Sequence, residues 1–127
     1  MKLDEELLGA LVGLMEEDKD TFVPARLSIL VYLYFTQNAK FTSLQKKLNM
    51  TSGNLSSHLK KLQEMGLVRI SKRFVELKPT TLVVITQEGA ERVRSQLLRM
   101  REIVSVLLEK DVISQPSSSQ ETTETIS

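Results

Sequence analysis

The 127-residue chain has no cysteine and no tryptophan, and its one histidine is His58. Without cysteine there is no disulfide, no thiolate metal ligand and no thiol nucleophile, which excludes a zinc finger. His58 has no second histidine or cysteine with which to build a catalytic or metal-binding set, so no metal site and no cofactor is expected. Glycine-rich phosphate loops and a GxSxG elbow are also missing, and the carboxylates cluster at helix ends as solvated groups do, so the chain does not read as an enzyme. Long apolar runs are absent too: the longest, Ile29 to Phe35, is far too short to cross a bilayer. The start of the chain carries Asp4, Glu5 and Glu6 where a signal peptide needs a basic, then apolar, segment. These absences predict a soluble, cytoplasmic protein with no membrane partner and a single domain.

A strong net charge is lacking as well, since the total is only +1, but the charges are segregated. Residues 1–23 hold two basic and seven acidic side chains, and residues 40–80 hold nine basic against two acidic, a balance of +7. From residue 111 onward the balance is −3. A positive block confined to one segment is the footprint that phosphate binding requires, although a solvated Lys-rich face has the same composition.

The apolar periodicity predicts five helices and a hairpin. A first helix from Asp4 to Met15 is marked by Leu3, Leu7, Ala10, Leu11 and Leu14 at three- and four-residue steps. Pro24 suits the first position of a second helix reaching about Gln37, apolar nearly all round after Ser28 and therefore central. Thr42 and Gln45 have capping-box spacing, which places a short third helix over Thr42 to Leu48. Asn49 and Met50 make a turn, Thr51 or Ser52 caps a fourth helix ending at Met65, and Gly66 stops it. In that helix Leu55, Leu59 and Leu62 form one face, opposite small, hydrogen-bonding and basic side chains. Val68, Ile70 and Phe74 then alternate with Arg69, Ser71 and Arg73 in a half-buried strand, and Thr81 to Ile85 returns beside it. Pro79 is assigned to the tip loop or an edge, because it cannot donate to a ladder. Thr86 caps a last helix, Gln87 to Lys110, in which Ala90, Val93, Leu97, Met100, Val104 and Leu107 form a heptad-like seam. The fold class expected is mainly α (α+β), a winged helix-turn-helix with a β-hairpin wing and a long C-terminal dimerisation helix. Residues 1–112 form that domain with its flanking helices, and the polar, acidic tail over residues 113–127 is expected to be disordered.

The segment Thr51 to Val68 (TSGNLSSHLKKLQEMGLV), followed by Lys72-Arg-Phe, Lys78-Pro-Thr-Thr and Ile85-Thr-Gln-Glu-Gly, resembles the prokaryotic single-domain winged-helix transcriptional regulators of the MarR/ArsR-type group. The likeness covers roughly residues 24–95 and is specific in combination. It implies a homodimer on operator DNA, with the fourth helix in the major groove and the wing on the backbone or minor groove. Two departures stand out. Thr80 follows the wing proline where the group often has a basic residue, so wing contacts rest on Lys72, Arg73 and Lys78. The Cys-rich ligand sets of metal-sensing members are absent.

The residues expected at double-stranded DNA are Thr42, Ser43, Thr51, Ser52, Gly53, Asn54, Ser56, Ser57, His58, Lys60 and Lys61, with the three wing cations. Thr51, Ser52 and Asn54 suit phosphates near a helix N-terminus, and Asn54, Ser57 and His58 suit base edges. Leu7, Leu11, Leu14, Val93, Leu97, Met100, Val104 and Leu107 are expected at the dimer interface, setting two recognition helices about 34 Å apart. Tyr32, Tyr34 and Phe35 are either ordinary core or the lining of a small-molecule effector pocket. Three readings stay open: a sequence-specific regulator, an architectural DNA-binding protein of low specificity, and a winged-helix protein-interaction module.

Overall fold

The computed structural model describes residues 5–109. Its elements are α1 (Glu5–Glu16), α2 (Pro24–Thr36), β1 (Asn38–Lys40), α3 (Phe41–Lys47), α4 (Ser52–Glu64), β2 (Val68–Val75), β3 (Lys78–Ile85) and α5 (Gln87–Glu109). The tail beyond residue 112 and the predicted helix ends at Asp4 and Lys110 lie outside the described residues. No described helix is long and apolar enough to cross a membrane. The described residues pack as two compact units: residues 18–96, and residues 5–17 with 97–109.

The larger unit is a winged helix. Its core joins Ile29, Leu30 and Leu33 of α2, Leu44 of α3, Leu55, Leu59 and Leu62 of α4, and Leu67, Val68, Val83, Ile85 and Val93. Pro24 does start α2, and Tyr32 and Tyr34 are half-buried against the core, whereas Phe35 is 88% exposed. The sheet has the order β1-β3-β2, both pairings antiparallel. β1 was not legible in the sequence: three residues, Asn38 to Lys40, pair with Val84, Val83 and Leu82 and lead directly into α3. That strand overturns the capping box. α3 begins at Phe41 with Lys40 as N-cap and no side-chain cap, so Thr42 lies inside the helix.

Both ends of the helix-turn-helix are closed by the same device. At the end of α3 the Asn49 and Met50 N–H groups donate to the Lys46 and Gln45 carbonyls, with Asn49 at φ 54°. At the end of α4 the Gly66 and Leu67 N–H groups donate to Gln63 and Leu62, with Gly66 at φ 78°. These are Schellman motifs, which satisfy the last carbonyls and turn the chain sharply. The Thr86 hydroxyl accepts from the Gly89 N–H (2.9 Å) as the cap of α5, and donates to the Gly66 carbonyl (2.7 Å). α5 is thereby anchored to the C-terminal end of α4.

The wing turns at Glu76-Leu77, between the paired Val75 and Lys78, rather than at Pro79. Pro79 is in β3 opposite Phe74, beyond the point where β1 runs alongside. In a two-residue hairpin the pair after the closing one is not hydrogen-bonded, so the N–H that proline lacks would have pointed to an open edge. Phe74 departs from expectation: it continues the face of Val68 and Ile70, but at this distance from the core it is 76% exposed.

In the smaller unit α1 buries Leu7, Ala10 and Gly13. Arg99 lies across Gly13, where a Cβ would come within 2.7 Å of its Cδ, and its guanidinium meets Glu17 at 3.1 Å. Burial divides the residues expected at a dimer interface. Leu7 is buried and Leu11 and Leu14 half-buried in their own chain, while Leu8, Val12 and Met15 are the exposed apolar side chains of α1. Along α5, Val93 is wholly within the core and unavailable to a second copy, Met100 and Leu107 are half-buried, and Leu97, Val104 and Leu108 are exposed.

Candidate nucleic-acid interface

α4 is built so that one side holds it and the other is free. Leu55, Leu59 and Leu62 are fully buried, whereas Ser52, Gly53, Asn54, Ser56, Ser57 and Lys60 are exposed. Thr51 is the N-cap, its hydroxyl oxygen accepting from the Asn54 N–H at 3.1 Å, which leaves its own proton for an outside acceptor. Asn54 forms no side-chain hydrogen bond within the described residues, so its amide is not consumed locally. The free N–H groups of this first turn and the positive end of the helix dipole sit beside those hydroxyls, an arrangement suited to phosphate oxygens.

A cleft of about 410 Å³ separates α4 from the wing, with Phe41, Leu59 and Ile70 on its floor and Ser52, Ser56, Lys60, Gln63, Lys72 and Thr81 around it. Lys60 of α4 and Lys72 of β2 thus face one opening. The alternation of β2 puts Arg73 on the opposite face, which it shares with Lys78 of β3, so the three wing cations flank the hairpin on both sides. Thr42 is exposed and Ser43 half-buried on α3, following Phe41 of the cleft floor.

A family model described as a winged helix DNA-binding domain matches residues 25–104. The chain belongs to that family. A transcriptional regulator homologue from Pyrococcus horikoshii OT3 is 32% identical with a TM-score of 0.74, over 78% of this chain and 97% of that one. An uncharacterised protein of Methanocaldococcus jannaschii is 42% identical over 64 residues, 50% of this chain and 70% of that protein. The fold is that of MarR-type transcriptional regulators. One structure with this fold, S. aureus MepR, was solved as a DNA complex; it is 16% identical with a TM-score of 0.61, covering 90% of this chain and 98% of that one.

Within this winged-helix domain two basic residues of α4 lie half-buried at the edge of its exposed face. His58 is half-buried at the edge of α4, and its Nδ1 accepts from Arg26 Nε at 3.4 Å, so only Nε2 is left for an outside partner. Lys61 is half-buried, while Lys60 is exposed. Arg26, which sequence reading missed, also donates from Nη1 to the Asp20 carbonyl at 2.8 Å. A signal existed: a cation in the first turn of a helix opposes the helix dipole and needs a partner elsewhere.

Proposed function

We propose that the protein is a sequence-specific transcriptional regulator that binds operator DNA as a homodimer, with α4 in the major groove and the β2–β3 wing on the flanking backbone or minor groove. The observation that carries this reading is the exposed face of α4. It is composed of Gly53, Asn54, Ser56, Ser57 and Lys60, none of which the core requires, and it adjoins the lysine-lined cleft. A protein-docking face would carry apolar or aromatic anchors instead. Lys60, Lys72, Arg73 and Lys78 supply phosphate contacts common to all sequences, while Asn54 and Ser57 are offered to base edges.

The dimer reading rests on the exposed apolar side chains of the smaller unit, Leu8, Val12 and Met15 on α1 and Leu97, Val104 and Leu108 on α5. A two-fold axis would bury both sets and match a pseudo-palindromic site. Selection of bound duplexes from a random pool tests both parts. A palindromic consensus with half-sites one helical turn apart is expected. Salt-dependent binding without any consensus would overturn specificity and mark an architectural protein instead.

A further inference from the structure

We infer that the wing of this chain enters the minor groove with an apolar tip, Leu77 backed by the Phe74–Pro79 pair, and thereby favours operators whose flanking base step unstacks easily. The inference rests on the DNA-binding reading above and assigns the wing's contact to residues other than its cations. Leu77 is 93% exposed, more than any other large hydrophobic side chain among the described residues, and Phe74 lies close behind it on the same hairpin. Neither contributes to the core. The turn that presents Leu77 is also strained, because Glu76 and Leu77 both have positive φ, 52° and 67°, in a position where Asn-Gly would be relaxed. Exposed apolar surface held on a strained turn is a pairing that folding does not explain.

What surrounds the tip indicates the occupant. Lys72 lies on the same face of the hairpin as Phe74 and Pro79, and Arg73 and Lys78 lie on the opposite face, so cations stand on both faces around the apolar tip. A minor groove is bordered by phosphates on both sides, and apolar side chains are known to wedge between its base steps. Neither turn position, Glu76 or Leu77, carries a cation. Thr80 follows Pro79, its hydroxyl bonded to the Lys78 carbonyl at 3.2 Å, and the other residue of the turn is Glu76, whose charge repels phosphate. The apolar tip is continuous with the cleft that α4 shares with the wing, since Lys72 and Thr81 precede Phe74 and Pro79 on one face. Pyrimidine–purine steps such as TA yield most readily to such a wedge.

The test uses the full chain and duplexes selected from the random pool, varied only at the flanking steps where the wing would lie. Leu77→Gly and Phe74→Thr are each expected to bind roughly 10-fold more weakly, with unchanged salt dependence, because an apolar contact releases no counterions. The preference for TA over GC flanks should vanish, and the minor-groove flank should disappear from a hydroxyl-radical footprint. Leu77→Gly relieves the turn, so its thermal stability should equal or exceed that of the parent, which separates lost binding from lost folding. Wild-type affinity and footprint in both variants would overturn the apolar tip while leaving α4 recognition intact. Failure of the parent chain to bind any duplex would overturn the reading beneath it. Leu77-dependent binding to lipid vesicles or self-association, with DNA affinity untouched, would also refute the inference.

Discussion

Gly53 sits in the first turn of α4, where an added Cβ would meet no atom of the chain within 4 Å. The fold therefore has no use for its bareness, whereas close approach of the helix to a DNA groove would have. Gly53→Ala should raise stability by roughly 0.5–1 kcal/mol through helix propensity. It should lower DNA affinity severalfold by holding the helix off the groove, and thermal melting with fluorescence anisotropy would reveal that opposition. Asn54→Ala should cost about 1–3 kcal/mol on the matched operator and relax preference at one base pair. Uniform loss across all duplexes would refute base reading. Lys60→Ala should reduce the salt slope by about one and leave specificity alone. These residues were legible in the sequence because Leu55, Leu59 and Leu62 fix the rotation of the helix, and every other side chain follows by geometry. The bond from Arg26 to His58 was not, since the two are 32 residues apart in sequence and only the tertiary fold brings them together.

Among the elements, the corner that joins α4, β2 and α5 is the least forgiving. A Cβ on Gly89 would lie 2.1 Å from the Leu67 carbonyl oxygen, backbone against backbone, with no flexible atom to yield. Gly89→Ala should therefore destabilise the domain by about 1–3 kcal/mol or more, a larger effect than in an open helix position. Chemical denaturation would measure it, and a change under 0.5 kcal/mol, the range of ordinary surface substitutions, would show that the corner adjusts. The cap at Thr86 and the stop at Gly66 were readable locally, because each is one residue doing one backbone task. β1 and the Glu76-Leu77 turn were not. A three-residue strand has no periodicity to detect, and the turn lacks the Asn-Gly signature that marks its class. The start of the third helix was set one residue late for a related reason: a plausible capping pair at Thr42 and Gln45 lost to strand pairing by Lys40.

At the scale of the molecule, the basic block and the apolar side chains exposed on α1 and the end of α5 belong to different units, the block of residues 40–80 to the larger and those apolar side chains to the smaller. That division is what a dimer on DNA requires, with association in one place and phosphate contact in another. Val104→Glu should yield a monomer by light scattering at micromolar concentration and a circular dichroism spectrum like the parent's, while weakening operator binding by removing one half-site. A parent chain that is itself monomeric would refute the dimer. The sequence showed that these helices carry surplus apolar residues but not which of them are spare, because Val93 and Val104 differ only in what the fold sets against them.

β3 lends its outer edge to β1 for only three residues, and from Pro79 to Thr81 that edge is open. An open strand edge invites a strand from another molecule, the first step toward fibrous aggregation. Here proline removes a donor from that edge and Lys78 places a charge at its end, which makes it a poor template. Pro79 thus serves as a guard on solubility, and replacing it with valine should leave the monomeric fold intact while making concentrated solutions prone to assemble edge to edge.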